Sequence, residues 1–138
     1  MPHFNGCLIR MFNGVRILVG YDASPQSKKA LNVAIAIAKK FSGLIKVVSV
    51  YGKGMEEITQ ARLIEVKETL KREQINYNVE PVLGSDPAKI LEKTAKSENF
   101  NIIVIGSRGL GNTVSFLLGS VSKHIVSNSH CNVLVVKQ

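Results

Sequence analysis

Ile17-Leu18-Val19-Gly20-Tyr21-Asp22, followed after Ala23 by Ser24-Pro25, is the first strand-to-helix signal of the chain and sets its architecture. The first five residues form a short apolar run, as expected of a strand covered on both faces. Ser24 then offers a side-chain oxygen to the first turn of a helix, and Pro25 suits its first position. Ala30, Leu31, Ala34, Ile35, Ala38 and Phe41 recur at three- to four-residue spacing. That spacing predicts a helix with one apolar face, ending near Ser42-Gly43.

The alternation continues along the chain. Leu44 to Val50 reads as a second strand, and Gly52-Lys53-Gly54 as a short loop into a charged helix from about Glu56 to Gln74. Leu63, Val66 and Leu70 are the inner stripe of that helix. Asn78 to Leu83 is a weaker third strand, and Pro81 within it suits a sheet edge. Asp86-Pro87 starts a third helix carrying Ile90, Leu91 and Ala95, and Asn101 to Ile105 is the fourth strand. A helix follows Gly119, and Val133 to Val136 is the fifth strand. Strands apolar on both faces, alternating with helices, imply one α/β domain: a parallel sheet with helices on both faces. Residues 1–14 show no periodicity and read as a loosely attached extension, with the domain spanning 15–138.

Composition narrows the function. With 138 residues, 45% apolar and 20% charged, the chain can bury a core. No apolar run approaches the ~20 residues of a membrane span, and no signal-peptide pattern precedes the first strand, so a cytoplasmic protein is expected. Cys7 and Cys131 lie far apart, and His3, His124 and His130 share no metal-ligand spacing with them. The net charge of +8 is spread over helix faces and aromatics are few, so nucleic acid is not expected; the charge would draw in small anions.

Ile102-Ile103-Val104-Ile105-Gly106-Ser107-Arg108-Gly109, then nine residues, then Gly119-Ser120-Val121-Ser122, carries the chemistry. A strand runs into a glycine loop, and a Gly-Ser pair opens the next helix. Bare amides, hydroxyls and a positive helix end suit a phosphate. The same glycines and serines would also serve as plain turn and capping residues. Gly106 and Gly109 would let backbone approach a ligand without a Cβ in the way. Arg108, the only cation from Gly106 to Ser122, can neutralise phosphate or sit solvated at a loop tip. Asp22 can accept from ribose hydroxyls, help hold a divalent ion, or simply form a turn before Ser24-Pro25. Ligands in open parallel sheets bind where strand order reverses. Here that lies between strands one and four, so Gly20 and Asp22 should converge with Gly106 on one crevice. The motifs of P-loop enzymes and dinucleotide-binding dehydrogenases are both broken.

At these residues the chain resembles the universal stress protein family, in its nucleotide-binding branch. The resemblance covers Arg16 to Lys137 and is strongest at Gly106-x2-Gly109-x9-Gly119-Ser120. It implies an open, Rossmann-like five-stranded parallel sheet in order 3-2-1-4-5, binding ATP or a related adenine nucleotide at the crevice. Asp22 would meet the ribose and the Val50 backbone the adenine edge. Gly106 and Gly109 would flank ribose and α-phosphate. Gly119, Ser120, Val121 and Ser122 would wrap the outer phosphates, with Mg²⁺ or Mn²⁺. The resemblance also implies a homodimer through Val133, Leu134, Val135 and Val136. Ser49 stands where many relatives place a histidine, Asn132 where a proline is common, and the connection after strand two is short.

The expected function is a nucleotide-binding regulatory module in stress response. No Asp or Glu lies between Gly106 and Ser129 to position an attacking water. The alternatives are slow ATP hydrolysis or self-phosphorylation at Ser120 or Ser122, and an interaction protein that keeps the fold without the nucleotide.

Overall fold

The computed structural model describes residues 14–107 and 119–137. Arg108 and Gly109, Cys7, and residues 1–13 of the expected extension lie outside the described residues. Five strands are described: β1 (Arg16–Gly20), β2 (Leu44–Tyr51), β3 (Asn76–Leu83), β4 (Ile102–Gly106) and β5 (Asn132–Val136). They alternate with α1 (Pro25–Phe41), α2 (Glu56–Arg72), α3 (Pro87–Ser97) and α4 (Ser120–Asn128). All pairings are parallel, in the order β3-β2-β1-β4-β5. The expected α/β fold and strand order are those observed.

Ile17, Leu18 and Val19 of the central strand are wholly buried, because alternate residues feed two separate cores. Ile17 and Val19 join Ile45, Val47 and Val104 beneath α1 and α2, with Leu63, Val66 and Leu70 as the α2 contribution. Leu18 joins Val48, Ile103 and Ile105 beneath α3 and α4, with Leu91, Ala95 and Ile125. An unbroken apolar run is what a strand covered on both faces requires.

Local chemistry sets the helix ends. Ser24 Oγ accepts from Ser27 N at 3.2 Å, and Asp86 Oδ1 accepts from Lys89 N at 3.1 Å, with proline next in each helix. At the end of α1 the left-handed residue is Ser42 (φ 53°), not Gly43. Gly43 is needed for another reason: a Cβ there would lie 2.7 Å from Val15 Cγ1 and 2.8 Å from Val15 O. Helix α2 stops at Arg72, short of the expected Gln74, which adopts φ 59°. Ile75 N then bonds back to Leu70 O at 3.2 Å. That turn lets β3 begin at Asn76, two residues earlier than expected, in register with Leu44. Pro81 does lie in an edge strand, opposite Ser49.

Lys46 is an ion the sequence did not advertise. It sits on β2, 7% exposed, with Nζ 2.9 Å from Glu80 Oε2 and 2.9 Å from Glu98 Oε2. Burial alone would lower its pKa, but the hydrogen bonds to Glu80 and Glu98, and their charges, outweigh it. The ammonium is held above its ordinary 10.5. A raised folded-state pKa gives stability that is complete below 10.5 and lost as pH climbs through the folded value. Urea unfolding should therefore show a midpoint falling above that pH, and Lys46→Met should flatten this alkaline slope. At neutral pH the substitution should cost only about 1 kcal/mol, because the two half-exposed carboxylates rehydrate. An unchanged slope in the variant would contradict this assignment.

Candidate functional site

The chain runs from β1 outward to β3, then returns to place β4 on the other side of β1. Connections leaving β1 and β4 diverge, which opens a crevice beyond their carboxyl ends. A cavity of about 350 Å³ occupies it. Gly20, Val48, Val50 and Ile105 border it from the strands, and Pro87 and Leu91 from α3. Its polar border is Asp22, Ser24 and Ser27 at the start of α1, and Gly106 with Gly119 to Ser122 at the start of α4.

Gly20, Asp22, Val50, Gly106, Gly119, Ser120, Val121 and Ser122 thus all meet at one cavity, as the sequence led us to expect of the crevice. Tyr21, Ser24, Ser27, Val48, Pro87, Leu91 and Ile105 also border it and were not singled out. Val48 and Ile105 could have been found, since each faces the side shared by Leu18 and, for Val48, by Val50 two residues on. Nothing local marks Leu91, which arrives through tertiary packing.

The two described strand-end glycines are bare for different reasons. A Cβ on Gly20 would lie 2.8 Å from Leu91 Cδ1 and 3.2 Å from Ile105 Cγ2, so glycine keeps the cavity floor open. A Cβ on Gly106 would instead meet Gln26, 2.7 Å from its Cβ and 2.9 Å from its backbone carbon. Gly106 therefore serves the close packing of α1 on β4, and the expected role of clearing a path for ligand is corrected on this point.

The start of α4 differs from those of α1 and α3, the other helices that open at the cavity. Gly119 supplies no side-chain cap, and the amides of Ser120, Val121 and Ser122 have no acceptor among the described residues. The turn is fastened from behind instead. Gly119 N donates to Ser107 O at 2.7 Å, and Ser122 Oγ donates to Gly106 O at 2.7 Å. Ser122 is 3% exposed and its hydroxyl proton is thereby committed, so it aims the amides and has no proton left for a ligand. Helices α1, α3 and α4 carry no acidic residue in their first turns. Asp86 nevertheless offsets the positive end of α3 from its cap, whereas α4, with neither an acidic first turn nor an acidic cap, keeps its positive end uncancelled at the cavity.

Asp22 forms the turn that was one of its readings and keeps one oxygen spare. Its Oδ1 accepts from Ser24 N at 2.9 Å, closing a turn in which Ala23 takes φ 66°. The other oxygen has no partner among the described residues. It is the only carboxylate bordering the cavity among the described residues. Burial, and the nearby charges of Glu65 and Asp22, push the Tyr21 phenol above its ordinary 10.0, against a smaller opposing pull from Arg62, so it stays protonated. No group of three or more His, Cys, Asp or Glu among the described residues could hold a metal alone. No described helix is long and apolar enough to cross a membrane.

Residues 15–137 match the family model described as "Universal stress protein family". The chain belongs to the universal stress protein family. It is 32% identical over 133 residues to "Universal stress protein in QAH/OAS sulfhydrylase 3'region" of Thermus aquaticus, covering 88% of this chain and 97% of that one. A universal stress protein crystallised in complex with cAMP superposes with a TM-score of 0.74 at 28% identity, over 90% of this chain and 97% of that one. The universal stress protein UspA of Lactobacillus plantarum shares the fold, with a TM-score of 0.72 at 22% identity over 90% and 98%.

The two glycines of this family member can be told apart by unfolding. Gly106→Ala should cost about 1–3 kcal/mol, since backbone atoms of Gln26 cannot move aside. Gly20→Ala should cost less than about 1 kcal/mol, because the end of the Leu91 side chain can rotate away. Equal penalties in denaturant titrations would refute the distinction.

Proposed function

We propose that this universal stress protein is an adenine-nucleotide-binding regulatory module that holds ATP or a close relative in the β1/β4 crevice and acts in stress response in the cytoplasm. The observation that carries the reading is the uncapped start of α4. Three successive amides at a helix N-terminus, braced from behind and facing a cavity, suit a phosphate group. The apolar half of the cavity, with Val48, Val50, Pro87 and Leu91, suits a base, and Asp22 suits the sugar between them. The relative crystallised with cAMP supports an adenine nucleotide as the ligand class.

In this reading the amides of Ser120, Val121 and Ser122 beside Gly119 meet the phosphates and Gly106 borders the sugar side, while Arg108 and Gly109, which fall between them in the sequence, lie outside the described residues. Mg²⁺ or Mn²⁺ is compatible with the donors present. Such an ion takes oxygen ligands, and the spare Asp22 oxygen can join phosphate oxygens and water around it. The ion would screen phosphate charge. Regulation rather than turnover is favoured because Asp22, the only carboxylate at the cavity among the described residues, is tied into a turn.

Calorimetry on nucleotide-stripped protein tests the reading. ATP should bind, and Ser122→Ala, which unfastens the amides, should weaken ATP at least about tenfold while changing adenosine little. No heat of binding with ATP or AMP at millimolar concentration would remove the proposal.

The proposal extends to a homodimer through β5. This strand is an edge of the sheet, and Val133, Leu134, Val135 and Val136 are only half-buried there. An apolar edge of this kind seeks a partner strand. Sedimentation velocity should find a dimer, and a monomer at every concentration tested would exclude it.

A further inference from the structure

Every polar atom of Ser24 but one is satisfied. Ser24 is 1% exposed and borders the cavity. Its amide donates to Asp22 Oδ1 at 2.9 Å, and its carbonyl accepts from Lys28 N and from Ser27 Oγ, each at 3.0 Å. Its Oγ accepts from Ser27 N at 3.2 Å. The hydroxyl proton alone has no acceptor among the described residues. The other two buried serines at the cavity have theirs committed: Ser27 to Ser24 O, and Ser122 to Gly106 O. A buried hydroxyl with an idle proton costs free energy that a ligand acceptor would recover.

Beside it, the second oxygen of Asp22, two residues away in the same turn, has no protein partner among the described residues. The turn that borders the cavity therefore holds a neutral donor beside an anionic acceptor. A phosphate would suffer repulsion from the carboxylate, and the apolar half of the cavity already suits a base. A sugar hydroxyl fits both atoms, since it donates to the carboxylate and accepts from the serine. Two vicinal hydroxyls fit equally, one to each.

We propose that Ser24 is a ligand-binding residue that, with Asp22, selects ribose over deoxyribose nucleotides. This rests on the nucleotide-binding reading above and adds to it the sugar chemistry and a residue that nothing else assigns to the ligand. A site that hydrogen-bonds a substrate hydroxyl discriminates against an analogue lacking it, because its buried polar groups are left unpaired.

The test compares ATP, 2'-deoxyATP and 3'-deoxyATP by calorimetry on the wild-type chain, Ser24→Thr, Ser24→Ala and Asp86→Ala. Wild type should bind ATP about tenfold more tightly than at least one deoxy analogue. Ser24→Thr keeps the hydroxyl and should keep the ratio. Ser24→Ala should reduce the ratio about fivefold, chiefly by weakening ATP. Asp86→Ala removes the cap of α3, so it should lower the melting temperature and leave the ratio alone. If Ser24→Ala does not fold, Ser24→Gly, which a helix N-cap tolerates better, should also lose the ribose preference. A wild-type ratio near one overturns the proposal. So does a Ser24→Ala variant that weakens all three nucleotides equally or none, which would leave Ser24 as a helix cap only. Failure of the wild type to bind any of the three would overturn the nucleotide reading itself, and this proposal with it.

Discussion

Ile17, Leu18 and Val19 lie at the centre of the molecule with no solvent on either face, and the rest of the structure is arranged around that burial. Burying a strand on both sides requires helices above and below it, so each strand must be followed by a crossover. Building first toward β3 and then toward β5 satisfies this with five short strands. The reversal leaves the carboxyl ends of β1 and β4 without a connection across them. The cavity is a by-product of how the central strand is covered, and Tyr21, Asp22 and Gly106 are placed at it before any ligand is considered.

Two peptide groups at the end of β4 then convert that opening into a site. The Gly106 carbonyl takes the Ser122 hydroxyl, and the Ser107 carbonyl takes the Gly119 amide. On its other side, Ser107 N bonds to Val136 O at 2.9 Å, so the same residue joins the end of the edge strand to the start of α4. These bonds fix where three free amides face without using any of them.

The order of elements and the edge position of the third strand were legible because each has a local cause, and the meeting of Asp22 with the Gly119 turn because strand order reverses between β1 and β4. An apolar run, a proline and a glycine-serine pair act on their own neighbours. Features set by distant segments were not legible. Lys46 reads as one more basic residue until Glu80 and Glu98 arrive beside it from other elements. Gly106 looks like a ligand-clearing glycine because Gln26, which it accommodates, lies eighty residues earlier. Ser122 looks like a donor for an anion because its acceptor, Gly106 O, comes from the preceding strand. In each case the residue type was informative and its partner was not.

The two faces of the sheet are unequal. The layer under α1 and α2 is the larger apolar cluster and includes the tightly packed Leu63, Leu70 and Ile45. The layer under α3 and α4 is smaller and ends in the open volume beside Leu91 and Ile105. Whatever molecule fills that volume becomes, in effect, a missing piece of the thinner core. Folding and occupancy are then thermodynamically linked, so the temperature at which this protein melts would itself report how much of its guest the surroundings contain.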